Sequence, residues 1–222
     1  MSLYFVIFGS LIGSRIGEMD GFTYMQFVVP GLIMMAIVTN SYSNVVSSFF
    51  SAKLNRSIEE LQVSPTPSSV IIAGYVAGGA LRGLIIGLLV TALSFFFTDI
   101  HLHSIAITLS VIVLAAILFA LAGFINATFA NSFDDINIIP TFILTPLTYL
   151  GGVFYSIDML PTFGQVLSQF NPILYLVNSF RYGMLGISDI NIAAALSGLI
   201  FTVIILYAAC WYLLEKSQRL RQ

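Results

Sequence analysis

The chain has 222 residues, 58% of them hydrophobic and 8% charged, with a mean hydropathy of +0.98. A soluble domain carries about a quarter charged residues, so this one cannot cover a water-facing surface and reads as an integral membrane protein. A formal charge of −2 without a basic patch excludes nucleic acid as a partner, and a single cysteine, Cys210, excludes an intrachain disulfide.

The N-terminus, MSLYFVIFGSLIG, lacks the basic n-region and the small-residue cleavage site of a signal peptide. A hydrocarbon core of ~30 Å takes about 20 helical residues to cross. On that measure the chain offers about six spans, an all-α membrane protein in a single domain over residues 1–222. The first, 3–12, is half the needed length. It reads as the end of a helix whose beginning is missing, or else as an interfacial or re-entrant segment. The second covers 24–50 and is interrupted by Asn40, Ser41, Tyr42, Ser43 and Asn44. The third runs over 70–97, the fourth over 105–130, and the loop NSFDDIN leads to the fifth at 138–155. The last, 192–214, ends in the tail EKSQRLRQ.

Two segments break this pattern. Residues 51–69, SAKLNRSIEELQVSPTPSS, gather Lys53, Arg56, Glu59 and Glu60 between two apolar runs. Residues 156–191 show two short helical patterns, Phe163-Val166-Leu167-Phe170 and Ile173-Leu176-Val177-Phe180-Met184, broken at Asn171-Pro172. Neither half can span, so an external or re-entrant hairpin is expected. Alternating sides places Lys53, Arg56, Lys216, Arg219 and Arg221 together against Arg15 and Arg181. The excess marks the first side as cytoplasmic, with the C-terminus on it.

The third span carries Gly74 and Gly78, then Gly79, Gly83 and Gly87. Glycine at four-residue spacing lets helix backbones approach, either between two copies or within one. Arg82 lies inside the same span, where a central arginine costs ~2.5–3.5 kcal/mol and faces protein or water. It reads as an anion contact in a path or as a structural pair. Asn40 and Asn44 read as path-lining groups or as interhelical hydrogen-bonding groups. His101 and His103 are too few to hold a metal, so no metal site is expected. Asp134 and Asp135 read as a partner contact or as a helix cap. No GxxxxGK[ST], GxSxG or HExxH occurs, and no carboxylate pair lies in a span. Catalysis and proton-driven transport therefore find no support, and the driving force is expected from another protein. An ATP-independent carrier and a scaffold that recruits a soluble partner stay open as alternatives.

Several stretches carry a family resemblance. YMQFVVPGLIMM, RSIEELQVSPTPSSVIIAGYV, PLTYLGGVFYSIDMLP and NPILYLVNSFRYGMLG together resemble the membrane subunit of bacterial ABC transporters of the type-2 exporter class. The resemblance implies a six-span inner-membrane permease working as a homodimer with a separate ATPase subunit. ATP would bind that subunit, and no cofactor would bind this chain. It implies that 51–69 holds the coupling helix, with Arg56, Glu59, Glu60 and Leu61 making or supporting the ATPase contact. Members of that class usually carry a cytoplasmic amphipathic helix and a full first span ahead of the residues matching Leu3, so the chain reads as N-terminally truncated.

Overall fold

The computed structural model describes residues 2–8, 13, 17–19, 21–58, 60, 66–99 and 102–219. A short helix α1 (Ser2–Val6) is followed by a two-stranded antiparallel ribbon, β1 (Glu18–Met19) with β2 (Phe22–Thr23), which the alternation of apolar runs did not announce. Thr23 then caps α2 (Tyr24–Leu54). Its hydroxyl accepts from the Gln26 N–H at 3.4 Å while the Gln26 amide oxygen accepts from the Thr23 N–H at 3.1 Å. This reciprocal box explains why the helix starts where the sequence reads T-x-x-Q.

Among the described residues, four helices are each long and apolar enough to cross a membrane: α2, α3 (Ser68–Ser94), α4 (Ile105–Phe129) and α9 (Ile192–Arg219). The expected fifth span differs from its sequence reading. Helix begins five residues earlier and stops five earlier, as α5 (Phe133–Ile139), a π-helical turn (Pro140–Leu144) and α6 (Thr145–Leu150). The Ser132–Asp135 capping box starts the helix early, and Pro140, which has no N–H to donate, opens the ladder by one residue within it. The Thr145 N–H reaches back five residues to the Pro140 carbonyl, and the Thr145 hydroxyl donates to the same oxygen at 2.9 Å. The three pieces form an 18-residue rod. The first expected span is represented only by α1 and residues 7 and 8, because 9–12 lie outside the described residues.

Helix α2 is the centre of the bundle, with 78% of its apolar stretch buried against 11% for α9. Its neighbours approach through small residues. A Cβ on Gly79, Gly83 or Gly87 of α3 would collide with Val45, Ser41 or Ile37 of α2 respectively. Both series step by four, so the two ridges interlock along one antiparallel crossing. On α4, a Cβ on Gly123 would lie 2.6 Å from the Tyr42 carbonyl oxygen. Gly74 and Gly78 point elsewhere: a Cβ on Gly74 meets nothing within 4 Å, and one on Gly78 only grazes Asn44 Oδ1 at 4.0 Å.

The hairpin is built from a 3-10 turn (Ile157–Met159), α7 (Thr162–Gln169) and α8 (Pro172–Leu185). Asn171 makes the break. Its side chain caps α8 by accepting from the Ile173 N–H at 3.0 Å and donates to the Leu147 carbonyl at 2.6 Å. Helix α8 is largely buried against α4 and α2, whereas α7 leaves Phe163, Val166 and Phe170 exposed.

Gly83→Leu is expected to push α3 off α2 and to destabilise the fold by ~1–3 kcal/mol or more, the usual cost of overpacking a filled contact. A lower midpoint of thermal unfolding in detergent checks this, with Gly74→Leu as the near-silent control.

Candidate translocation path and coupling segment

The cytoplasmic end is organised by the last turn of α2. Asn55 closes the helix, with its N–H bonded to the Ser51 carbonyl at 3.0 Å. Arg56 follows in the left-handed region at φ 58°, which few non-glycine residues adopt. That turn redirects the chain at the start of the coupling segment and leaves Arg56 exposed. Ser57, Ile58 and Glu60 are helical, with Ile58 buried and Glu60 exposed. Glu59 and Leu61, also expected at the ATPase contact, lie outside the described residues.

Lys53 makes a contact that sequence alone gave no sign of. Its Nζ donates to the Thr128 carbonyl at 2.9 Å and to the Ala130 carbonyl at 2.7 Å. These acceptors are at the C-terminal end of α4, where unsatisfied carbonyls and the helix dipole favour a cation. The adjoining turn is braced by Asp135. Its Oδ2 accepts from the Asn131 N–H at 2.9 Å and the Ser132 N–H at 3.1 Å, and the Ser132 hydroxyl accepts from the Asp135 N–H at 3.1 Å. These bonds, led by the one from Asn131, hold the Asp135 carboxyl below its ordinary range. Asp135 is thus a cap, while Asp134 is exposed beside it.

At membrane depth, α2 has one face that is not buried. Thr39, Ser43, Ser47, Ser48 and Ser51 are exposed along it, with Asn40 and Asn44 half-buried at its edge. Every one of these side chains is polar. Several are satisfied within the helix: Asn40 Nδ2 donates to the Ala36 carbonyl at 2.9 Å and the Ser47 hydroxyl to the Ser43 carbonyl at 2.8 Å. Arg82 flanks this stripe. It lies one turn beyond Gly78 on α3, as Asn40 lies one turn before Asn44 on α2. Because the helices run antiparallel with Gly83 packed on Ser41, Arg82, the residue before Gly83, lies at about the level of Ser41. Arg82 is exposed, and among the described residues it has no ion pair or hydrogen bond. The register puts Arg82 on α3 and the Asn40–Asn44 stretch on α2 at neighbouring levels. The candidate path read from the sequence ran from Asn40 to Asn44 and did not include Ser47 and Ser48. The signal was present in their period, since 40, 43, 44, 47, 48 and 51 form one helical face.

At the other end, Arg181 is 1% exposed and stands in the core. Its guanidinium carbon lies 3.8 Å from the Phe27 ring centroid, and Nη2 donates to the Gly152 carbonyl at 2.6 Å. The sequence reading counted Arg181 only as an external charge. Asp189 links the hairpin's two ends: its Oδ2 accepts from the Ser156 hydroxyl at 3.3 Å, and its N–H donates to Asn178 Oδ1 at 3.4 Å. The His103 ring meets Tyr182 edge-on at 5.4 Å, and His101 lies outside the described residues. No group of three His, Cys, Asp or Glu side chains that could hold a metal occurs among the described residues.

A bundle of long apolar helices with an open polar face on its central helix has the build of a membrane transport subunit, and comparison with known proteins agrees. A family model described as ABC-2 type transporter matches residues 1–185. The chain belongs to the ABC-2 type transporter family. It is similar to the inner membrane transport permease YadH of Escherichia coli K12, 57% identical over 221 residues that cover 100% of this chain and 86% of the relative. It also resembles nodulation protein J of Rhizobium leguminosarum bv. viciae, at 22% identity over 96% of this chain and 83% of the relative. Nodulation protein J of Sinorhizobium fredii is 26% identical over 91% and 77%. As an ABC-2 permease it is a multi-pass membrane protein, partners an ABC ATPase and is not itself an enzyme.

Two outcomes follow for the permease. Arg181→Met leaves the buried Gly152 carbonyl without its donor and is expected to cost ~1–3 kcal/mol, read as a lower unfolding midpoint. The depressed Asp135 carboxyl stabilises its turn above the ordinary Asp value of ~3.9, and that contribution is lost as pH falls through the lower folded-state value. Hydrogen exchange at the Asn131 and Ser132 amides, corrected for intrinsic rates, should accelerate across that acidic window in wild type. In Asp135→Ala it should be fast throughout.

Proposed function

We propose that the chain is the membrane half of an ATP-driven exporter in the bacterial inner membrane, with two copies enclosing a path along the polar stripe of α2. The observation that carries this reading is the stripe itself. Helix α2 is otherwise buried, and its one open face offers Thr39, Asn40, Ser43, Asn44, Ser47 and Ser48 beside Arg82. Hydrocarbon gives such groups no partners, and a charge there costs ~2.5–3.5 kcal/mol, so the face is better served by water, substrate or a second copy. The rod over 133–150 supports the dimer, because Ile138, Phe142, Ile143 and Tyr149 stand exposed along it. Gly74 and Gly78 remain uncovered on α3 and offer room for close approach.

Energy enters through 51–69. In this reading ATP binds a separate ATPase polypeptide, and the permease binds no cofactor. Arg56, Glu59, Glu60 and Leu61 make or support the docking contact. Closure of the ATPase pair moves this segment, tilts α2 and α3, and exposes the stripe alternately to the two sides. The excess of Lys and Arg at 53, 56, 216, 219 and 221 supports a cytoplasmic C-terminus on the same side. The spans α2, α3 and α4 contain no carboxylate, which speaks against proton-driven exchange. A path with one arginine among hydroxyls and amides suits an amphipathic substrate whose polar part carries hydrogen-bonding groups.

Two measurements test the reading. Arg56→Glu with Glu60→Arg is expected to abolish co-purification of the ATPase while leaving membrane insertion intact, and undiminished co-purification would overturn the docking assignment. Arg82→Ala is expected to keep ATPase binding and to lower substrate movement into proteoliposomes about tenfold, a ~1.4 kcal/mol change in barrier. Unchanged transport would remove Arg82 from the path.

A further inference from the structure

Lys53 stands where α2 hands over to the coupling segment, three residues before the left-handed turn at Arg56. Its ammonium bridges two carbonyls, of Thr128 and Ala130, on a different span. A second contact joins the same two places. Phe50, one turn earlier on α2, meets Phe133 edge-on with ring centroids 5.1 Å apart. Phe133 is the first residue of α5, and the turn between α4 and α5 is held by the Asp135 and Ser132 bonds. Coupling segment, end of α4 and start of α5 are therefore tied at one point.

The kind of tie matters. Elsewhere α2 and α4 meet mainly through apolar and small side chains such as Gly123, Phe49 and Phe124, with Tyr42 and Asn126 as a polar pair deeper in the contact. Such contacts resist separation but resist axial sliding poorly, since one ridge can ride over the next. A charged donor held by two carbonyl oxygens is directional and short, and it fixes axial position as well as distance.

We propose that Lys53 is a positioning residue for energy coupling: it locks the coupling segment to the α4–α5 turn, so that a displacement imposed at 51–69 enters α2, α4 and the 133–150 rod as one body. This rests on the coupling role proposed above for 51–69. Through Lys53 the push reaches the end of α4 and, across the braced turn, the start of α5.

The experiment uses the permease–ATPase complex in lipid nanodiscs, with hydrogen–deuterium exchange measured without nucleotide and after trapping with ATP and vanadate. In wild type, peptides covering 51–58 and 129–137 are expected to change together on trapping. In Lys53→Met the response of 51–58 persists while that of 129–137 falls at least fourfold, and Lys53→Arg, which keeps a charged donor, retains most of the joint response. Should Lys53→Met not assemble with the ATPase, Lys53→Gln makes the same comparison. The proposal is overturned if 129–137 responds in these variants as in wild type. It is equally overturned if exchange there rises by the same amount in both nucleotide states, which is what simple loss of a cap would do. A wild-type complex whose 51–58 region ignores trapping would remove the coupling role of that segment, and the Lys53 proposal with it.

Discussion

Close contact between backbones holds α2 at the centre of this permease. Lipid is as apolar as the helices, so burying leucine against leucine gives two spans little reason to associate. What remains is van der Waals contact, which grows as axes approach. Gly79, Gly83 and Gly87 bring α3 onto Ile37, Ser41 and Val45, and Gly123 brings α4 onto the Tyr42 carbonyl. With two neighbours pressed this closely, α2 keeps a single free face. That face carries the polar residues, so the packing that stabilises the bundle also selects which side chains water or substrate can reach.

The ends of the elements obey a second rule. Where backbone groups run out of helical partners, a polar side chain supplies one: Thr23 and Gln26 at the start of α2, Lys53 at the end of α4, Asp135 before α5 and Asn171 before α8. Arg181 does the same for the Gly152 carbonyl inside the hairpin. In a chain with so few charges, most of the interior ones serve backbone oxygens rather than carboxylates. Arg82 is the exception among the described residues, and this sets it apart more clearly than its position in the sequence does.

Much of this was legible before any coordinates. The apolar runs located α2, α3, α4 and α9 to within a few residues, because a long span is a strong compositional signal. The break at Asn171-Pro172 was equally clear, since proline stops a helix by simple sterics. The π turn at Pro140 was not legible, because it depends on a backbone carbonyl finding new donors. The role of Lys53 was invisible for a related reason. Its partners are carbonyl oxygens 75 and 77 residues away, and every residue type has one. Arg181 entered the sequence reading only as a charge on the external side, and only the fold shows Phe27 beneath its guanidinium.

The contrast between α2 and α9 bears on the lipid. Helix α9 has 28 residues, ~42 Å at 1.5 Å per residue, and so exceeds a ~30 Å hydrocarbon layer. Helix α2, with 31 residues, is longer still but is clamped on several sides. When bilayer thickness changes, the loosely packed α9 can tilt to absorb the mismatch at small cost, while α2 keeps its inclination. The permease therefore carries its adjustment to membrane thickness in a peripheral helix, and its central seam is insulated from the lipid composition around it.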